Sequence, residues 1–248
     1  MNRGNVRVLD KNLVVYLGGG CNSVVLTSID GKEAIIVDTK WLSSAKRMRN
    51  LIKAPKVTII NTHFHMDHSR GNGLYPEAHV VSGEVNWRHW DFDSGKSKRP
   101  DRILRTGDKI VLKLDDELIH IWDLGPAHSE NDSIVFFEKR KLLVVGDLVV
   151  VNQHPVLIDK NTNLSMWRQL LDLIEREIEF DTLVPGHGPL SDKAEVLTMK
   201  RYFAAASAVA SDSTKFGIEK QNFQMYSSFP VFGSFRRTIS FMRREIEK

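Results

Sequence analysis

Cysteine is almost absent from this chain: among its 248 residues there is one thiol, Cys21. One thiol cannot form an internal disulfide, so nothing in the sequence indicates a protein stabilised by oxidation. Long apolar runs are missing too, and none approaches the ~20 residues that a membrane-spanning helix requires. The apolar segment Val14–Leu17 follows several basic residues, but it is shorter than the core of a signal peptide and Gly18–Gly20 interrupts it. We therefore expect a cytoplasmic protein that makes no membrane contact.

A large excess of one charge is also missing. The net charge is +4, with an isoelectric point near 9.1, and the basic residues are scattered except at 96–105 and 236–248. Both basic segments suit solvent-exposed faces, so we expect a small-molecule substrate and no nucleic-acid partner. Hydrophobic residues make up 42% and charged residues 27%, which argues against a disordered or fibrous chain. The length fits one domain over 1–248, with residues 191–248 mainly helical.

Short segments rich in valine and isoleucine, separated by glycine-containing turns, predict strands. The predicted strands are Leu13–Leu17, Ser23–Thr27, Ala34–Asp38, Lys56–Ile60, Lys109–Leu114, Leu118–Asp123, Ser133–Phe137, Leu142–Val145 and Thr182–Val184. Apolar residues at helical spacing predict helices at Leu42–Lys53, Val85–Trp90 and Ser165–Ile178, and throughout the chain from Ser191. Ser43 or Ser44 is the expected cap of the first helix, and residues 91–108 are expected to form a loop or lid. The last helix carries an apolar stripe: Phe235, Ile239, Met242 and Ile246.

The strongest chemical signal follows directly after the predicted strand Lys56–Ile60. Four metal-binding side chains fall there within six residues: His63, His65, Asp67 and His68. Imidazoles suit zinc and iron, and carboxylates suit harder ions, so this density indicates a metal site rather than chance surface residues. We expect a loop, because a helix would spread the four side chains around its circumference. If the segment is extended, Asp67 shares a face with the first two histidines while His68 points away, so one loop serves two adjacent ions.

Three further residues of ligand type stand in the same context. Each follows a predicted strand and lies next to a glycine or within a few residues of one: His128, Asp147 and His187. Glycine lets the backbone turn sharply and brings a side chain close to a site. Each residue alone is a weak signal, but the repetition at four strand ends indicates one shared metal centre.

These motifs together resemble the metallo-β-lactamase superfamily. The matching features are the HxHxDH pattern of His63–His68, a histidine after a Gly-Pro turn, a Gly-Asp pair after a strand, and Pro185-Gly-His-Gly188. The resemblance implies an α/β (α+β) fold, an αββα four-layer sandwich of two mixed β-sheets flanked by helices. It also implies that Asp38 matches an early aspartate that supports the metal-binding loop.

The resemblance implies a complete two-metal ligand set. The first metal would be held by His63, His65 and His128, the second by Asp67, His68 and His187, and both would be bridged by Asp147. Zinc is the expected divalent ion, with iron or manganese as alternatives at the second site. A metal-bridging hydroxide would attack the substrate, and Asp67 is the candidate catalytic residue that orients this nucleophile and shuttles a proton.

Differences between this sequence and known members of the family narrow the choice of substrate. Asp147 occupies a position where the best-known β-lactamases of this fold use cysteine or serine. The residues around His187 differ from the Cys-Gly-His-Glu of true glyoxalase II. The resemblance that remains is to small glyoxalase II-like hydrolases, which implies an ester, thioester or lactone as the substrate.

Other functions on the same fold stay open. β-Lactamase activity is one, and a phosphodiesterase is another, although no cluster of basic residues marks a nucleic-acid arm. An iron-dependent oxidoreductase is a third. Flavodiiron relatives carry glutamate at the position of His65, and persulfide dioxygenases bind a single iron. A non-catalytic binding module would have lost ligands, and none is lost here.

Several polar residues outside the ligand set have two interpretations each. His154 is either a pocket residue or, as we favour, a structural one, and the Trp87–Arg105 region either lines the pocket or packs on the core. We expect His79 and His120 not to be ligands. A second group is expected to hydrogen-bond to the loop of the first metal: Ser129, Asn131 and Asp132.

Overall fold

Twelve strands form two sheets in the computed structural model, which describes residues 5–84, 98–227 and 233–246. The seven-stranded sheet follows chain order: β1 (Asn5–Asp10), β2 (Leu13–Leu17), β3 (Ser23–Thr27), β4 (Glu33–Val37), β5 (Lys56–Ile60), β6 (His79–Gly83) and β7 (Arg102–Leu104). The five-stranded sheet has the order β12-β11-β10-β9-β8: β8 (Lys109–Leu114), β9 (Glu117–Gly125), β10 (Asp132–Phe137), β11 (Leu142–Val144) and β12 (Thr182–Val184). Each sheet is mixed, because β4 to β7 run parallel in the first and β11 and β12 run parallel in the second.

Six α-helices accompany these sheets in the described parts of the chain. They are α1 (Leu42–Leu51), α2 (Met66–Ser69), α3 (Leu164–Glu177), α4 (Lys193–Ser211), α5 (Phe216–Asn222) and α6 (Phe235–Ile246). Within the described residues, none of the helices combines the length and apolarity needed to cross a membrane.

The inner faces of the two sheets share one apolar core. Side chains of both sheets meet there, among them Val24, Val37, Ile60, Ile121 and Val135. Successive side chains of a strand point to opposite faces, so the neighbouring residues of the seven-stranded sheet must be covered on its other side. They are covered by α1: Val25, Ile36 and Ile59 pack with Met48 and Ile52.

The outer face of the five-stranded sheet is covered by the C-terminal helices. Trp167 of α3 is fully buried there, and Tyr202 and Phe203 of α4 and Phe235 of α6 lie in the same cluster. The layers therefore run from α1 through the seven-stranded and five-stranded sheets to α3, α4 and α6. This arrangement confirms the predicted αββα sandwich of two mixed sheets flanked by helices.

Element ends and short strands differ from the predictions. Helix α1 has Trp41 at its N-cap with no side-chain hydrogen bond, so neither Ser43 nor Ser44 caps it. Strand β1 was not predicted because all six of its residues are exposed and show no buried face. Strand β6 was not predicted, and β7 lies inside the expected 91–108 loop, where only Leu104 of its three residues is buried. The predicted helix Val85–Trp90 lies outside the described residues, as do the aromatic residues Trp87, Trp90 and Phe92.

A tight backbone contact joins the end of β4 to the segment that follows β5. Gly71 lies in a 3-10 turn, Arg70–Leu74, directly after α2. Its amide donates to the Lys40 carbonyl over 3.1 Å, and the Thr39 amide donates to the His68 carbonyl over 2.6 Å. A Cβ atom on Gly71 would lie 2.1 Å from the Thr39 carbonyl oxygen, so only glycine lets the two segments approach this closely.

We expect Gly71→Ala to lower the free energy of unfolding by about 1–3 kcal/mol, because the added methyl forces the backbone of Thr39 to move. Urea unfolding monitored by circular dichroism measures this difference. The matched control is Gly217→Ala in α5, where a Cβ meets no atom within 4 Å. That variant gains up to about 1 kcal/mol from helix propensity. Equal stability of the two variants would contradict the prediction.

Candidate metal centre

Three imidazoles converge on one point at the edge where the two sheets meet. His63 and His65 follow β5 of one sheet, and His128 follows β9 of the other. The His65 Nδ1 atom lies 3.1 Å from the Nε2 atom of His63 and 3.1 Å from the Nε2 atom of His128. His63 and His128 are buried, and the side chain of His65 is 13% exposed. Three ring nitrogens facing one another this closely fit a shared cation.

A second group lies beside the first. The Oδ2 atom of Asp67 is 3.3 Å from His187 Nε2 and 3.8 Å from His68 Nε2. His187 follows β12, whereas Asp67 and His68 lie on α2, so this group also joins the two sheets. Asp67 and His187 are 28% and 24% exposed, which makes the second group the more open of the two.

The carboxylate of Asp147 stands between the two groups. Its Oδ1 atom lies 3.2 Å from the Nε2 atoms of both His68 and His187, and its Oδ2 atom lies 3.5 Å from His128 Nε2. Asp147 therefore presents one oxygen to each group. The close packing depends on Gly186, where a Cβ atom would lie 1.9 Å from Asp147 Oδ1.

The carboxylates and imidazoles of the second group hold one another in their charged forms. Burial raises the pKa of Asp67, but the nearby His68 and His187 outweigh it and lower that pKa to about 2. Burial opposes the charged form of His187, yet Asp147 and Asp67 outweigh it and raise its pKa to about 10. Burial lowers the pKa of His128 to about 4 and that of His63 well below its usual range, so these two rings are neutral, as metal ligands must be.

Three buried polar atoms of the ligand residues lack a hydrogen-bond partner: His68 Nε2, His128 Nδ1 and Asp147 Oδ1. The first and the last of these lie 3.2 Å apart. Unpartnered buried polar groups are costly, so their presence calls for a ligand. The donor set of five imidazoles and two carboxylates fits divalent metal ions, and the residues present match the group that the sequence implied.

The path of the motif differs from the loop that was expected, because its second half is helical. The chain turns into helix at Met66, and the amides of His68 and Ser69 donate to the His65 carbonyl. Because the helical turn rotates successive side chains, Asp67 leaves the face of His63 and His65 and joins His187 instead. The shared face that an extended segment would have given Asp67 is therefore not formed, and Asp67 lies with His187, while one segment contributes residues to both groups.

Two carboxylates, the buried Asp38 and the half-buried Asp159, orient the ligands from behind. Asp38 accepts hydrogen bonds from the amide and hydroxyl of Thr62, both over 2.8 Å, and its Oδ2 atom lies 2.7 Å from His68 Nδ1. Asp159 stands in the same relation to the first group, with its Oδ2 atom 2.8 Å from His65 Nε2. Such carboxylate–imidazole pairs fix the ring orientation of a metal ligand. The family resemblance pointed to Asp38, whereas nothing in the sequence pattern marked Asp159.

The loop that carries His128 is held by Asp132. Its Oδ2 atom accepts from the amides of Ala127 and Ser129, which flank the histidine, over 3.1 and 2.9 Å. Burial raises the pKa of Asp132 to about 7. Of the three residues expected to bond to the first-metal loop, Asp132 bonds to the segment that carries His128, whereas the Asn131 side chain donates to Asp123 over 3.0 Å.

Two residues near the centre, Cys21 and Lys40, were given no role there by the sequence analysis. The buried Cys21 has its thiol within 4.8 Å of ligand atoms of Asp38 and His68. Lys40 is also buried, and its ammonium donates to the carbonyls of Gly18 over 2.7 Å and Cys21 over 2.5 Å. These contacts fix the loop after β2 beside α2.

The other histidines that the structure describes make contacts outside the two groups. The Nδ1 atom of His154 is 2.9 Å from the hydroxyl of Tyr202, which supports the structural interpretation of this residue. His79 lies near Asp101, with its Nδ1 atom 3.9 Å from the carboxylate, and His120 Nε2 lies 2.5 Å from Glu138. His89 lies outside the described residues.

Comparisons with known proteins agree with this geometry. The sequence model of one protein family, the Metallo-beta-lactamase superfamily, matches residues 16–187. This stretch contains both ligand groups. A curated relative, 2,4-dinitroanisole O-demethylase subunit alpha of Nocardioides sp. (strain JS1661), is 24% identical over 217 residues. The alignment covers 82% of this chain and 64% of the relative, so the chain spans less than two thirds of that protein's length.

Similar solved structures include β-lactamases and an alkyl sulfatase. A metallo-beta-lactamase from Pontibacter korlensis has a TM-score of 0.67 at 18% identity, covering 80% of this chain and 98% of its own. A double mutant of the sec-alkyl sulfatase PisA1 has a TM-score of 0.73 at 11% identity, covering 98% of this chain and 50% of its own. DIM-1 metallo-beta-lactamase has a TM-score of 0.64 at 20% identity, covering 81% and 96%. These likenesses show the fold, and the glyoxalase II-like subtype stays a prediction.

Asn22 connects the first sheet to the loop of His187. Its amide nitrogen donates to the carbonyls of Pro185 and Gly188, each over 2.9 Å, and its backbone amide donates to Gly186 over 2.7 Å. Its side-chain oxygen accepts from the Gly18 amide over 3.0 Å. Asn22 is buried, so these bonds fix the backbone on both sides of His187 without competition from water.

We expect Asn22→Asp to remove both side-chain donors, so that the carbonyls of Pro185 and Gly188 lose this partner. Stability falls by about 1–3 kcal/mol, and metal affinity at the second group falls about 10-fold or more as His187 loses its orientation. Stepwise competition with a chelating dye measures the affinities. Asn12→Asp is the matched control: it removes one donor, to the Thr27 carbonyl, while Asp keeps the oxygen that accepts from Arg140. Equal metal affinities in the two variants would refute the assignment.

Proposed function

This chain belongs to the metallo-beta-lactamase superfamily, and from that premise we propose that it is a binuclear metal-dependent hydrolase of small esters, thioesters or lactones. The observation that carries the proposal is the position of Asp147, whose two oxygens face two separate ligand groups. A site for one metal ion needs only one of these two ligand groups. A binding module without catalytic activity would not need two complete ligand groups.

The ligand roles follow from the two groups. One ion would be held by His63, His65 and His128, the other by Asp67, His68 and His187, with Asp147 between them. Zinc is the ion that five imidazoles favour, with iron or manganese as alternatives at the group that contains Asp67. Divalent ions at such a site supply hydroxide at neutral pH and polarise the substrate oxygen.

Substrate approaches from the side of the second group. Asp67 and His187 are the most exposed members of the centre, whereas His63 and His128 are buried. Asp67 can therefore touch both an incoming substrate and the attacking water. We assign it the role of orienting that water and taking up its proton.

The choice of substrate rests on the departures from the family pattern and on the names of similar proteins. Aspartate at position 147 disfavours β-lactams. The sulfatase and the O-demethylase are named for sulfate esters and for a methyl aryl ether, which adds cleavage of such a C–O or S–O bond as a second candidate. Phosphodiesters and iron-dependent oxidation are the remaining alternatives.

We expect the purified protein to contain about two equivalents of zinc and to hydrolyse one member of a substrate panel. The panel is a lactone, a glutathione thioester, a β-lactam, a bis-aryl phosphodiester, an alkyl sulfate and an aryl methyl ether. Elemental analysis gives the metal, and removal by a chelator abolishes turnover until metal is restored. If the protein instead contains one equivalent of iron and hydrolyses none of the panel, the hydrolase proposal is rejected in favour of an iron-dependent oxidoreductase.

We expect Asp67→Ala to lower kcat/KM by about 10²–10⁴-fold, because the group that positions water and accepts its proton is lost. His128→Ala abolishes turnover through loss of the first metal. Circular dichroism checks that both variants stay folded. His79→Ala, a histidine away from both groups, serves as the control and retains full activity. Full activity in Asp67→Ala and His128→Ala would reject the proposed site.

A further inference from the structure

One irregular loop, residues 150–163, contacts the other strand-end loops that carry ligands. It starts just after Asp147, and its Val151 amide donates to the His187 carbonyl over 3.0 Å. In its middle, Asp159 contacts His65, and near its end the Thr162 hydroxyl donates to the His128 carbonyl over 3.0 Å. A shift of this loop would therefore disturb ligands of both groups.

The other side of the loop is held by the C-terminal helices. Arg237 of α6 donates from Nε to the Leu157 carbonyl over 2.7 Å, two residues before Asp159. Upstream, His154 Nδ1 lies 2.9 Å from the Tyr202 hydroxyl of α4, which in turn lies 3.1 Å from the Thr238 hydroxyl of α6. These contacts join three segments that are far apart in sequence.

The contact of Arg237 is well suited to fix the loop. A guanidinium bond to a carbonyl is charge-assisted and stronger than a neutral hydrogen bond. The Leu157 side chain is fully buried in the core, whereas the adjacent Ile158 is 45% exposed. The backbone between Leu157 and Asp159 is therefore anchored at one end by Arg237 and at the other by the bond between Asp159 and His65.

We propose that helix α6 is a positioning element of the metal centre, in which Arg237 holds the 150–163 loop and thereby keeps Asp159 on His65. The inference rests on the proposed metal site and adds a role for residues 191–248, which lie beyond the ligand motifs. Arg237 touches none of the ligands, so it acts through the loop alone.

Arg237→Met tests this role, because it keeps the aliphatic stem and removes the donor. The two stepwise metal dissociation constants are measured by chelator competition on the full chain, and His187→Ala and His65→Ala assign each step to its group. We expect the step that involves His65 to weaken about 10-fold, with a smaller change in the other step. Arg237→Lys, which can still donate to the carbonyl, recovers part of the loss.

Arg236→Met is the matched control, since it removes an equal charge from the adjacent position, where the guanidinium lies 4.4 Å from the Phe216 ring. It leaves both dissociation constants unchanged. Asp159→Asn weakens the same step, and combining it with Arg237→Met adds little, because the two residues act in series. Urea unfolding of the metal-free variants separates this effect from a general loss of stability.

The inference is overturned if Arg237→Met binds both ions as the wild type does, or if Arg236→Met weakens binding equally. Full additivity of Arg237→Met with Asp159→Asn would overturn it as well. If Arg237→Met does not fold, Tyr202→Phe takes its place, because it breaks the bond to His154 while keeping the buried ring, and the same outcomes apply. If the wild-type protein binds no divalent ion, both this inference and the proposed function are overturned. If the wild type binds metal and the variants bind it equally well, only this inference is overturned and the proposed hydrolase function stands.

Discussion

The burial of Asp147 is the constraint on which the rest of the structure depends. Its carboxylate lies at the meeting edge of two sheets, with a histidine group on either side, and its Oδ1 atom has no hydrogen-bond partner. An ionised carboxylate in such a place is stable only where positive charge surrounds it. The four strand ends must therefore deliver their ligands to within a few ångströms of one another. That requirement explains why the backbone around the centre is so closely packed, down to Gly186 against Asp147.

Irregular backbone near a buried charge needs support that strands do not provide. Here three of the ligand-bearing segments are each held by a buried polar side chain. Asp38 holds the segment after β5, Asp132 holds the loop of His128, and Asn22 holds the loop of His187. Asp159 likewise holds His65, and Arg237 of α6 holds the loop that carries Asp159, which connects this support to the C-terminal helices. The helices beyond residue 191 are thus connected to the centre by hydrogen bonds as well as by packing.

The sequence predicts the ligands much better than their supports, for a physical reason. Ligand residues of one segment must lie close together in sequence, so His63–His68 forms a visible pattern, and buried strands such as β3 and β5 are recognisable by their valine and isoleucine content. Apart from Asp132, the supports act over long separations: Asn22 contacts residues 163 and 166 positions away, and Asp159 contacts a residue 94 positions away. No local spacing marks such a pair. The turn of helix at α2 was missed for a related reason, since a single helical turn of four residues is too short to show periodicity.

The division of the ligands between the two sheets has a mechanical consequence. The seven-stranded sheet contributes the residues from His63 to His68, and the five-stranded sheet contributes His128, Asp147 and His187. If both sets bind ions as proposed, those ions would cross-link the two sheets at one edge, in a chain whose single cysteine can form no internal disulfide. The apolar core joins the same sheets along the interior. Removal of the ions would then loosen the sandwich first at the edge that carries the ligands, and the stability of that edge would depend on the supply of metal.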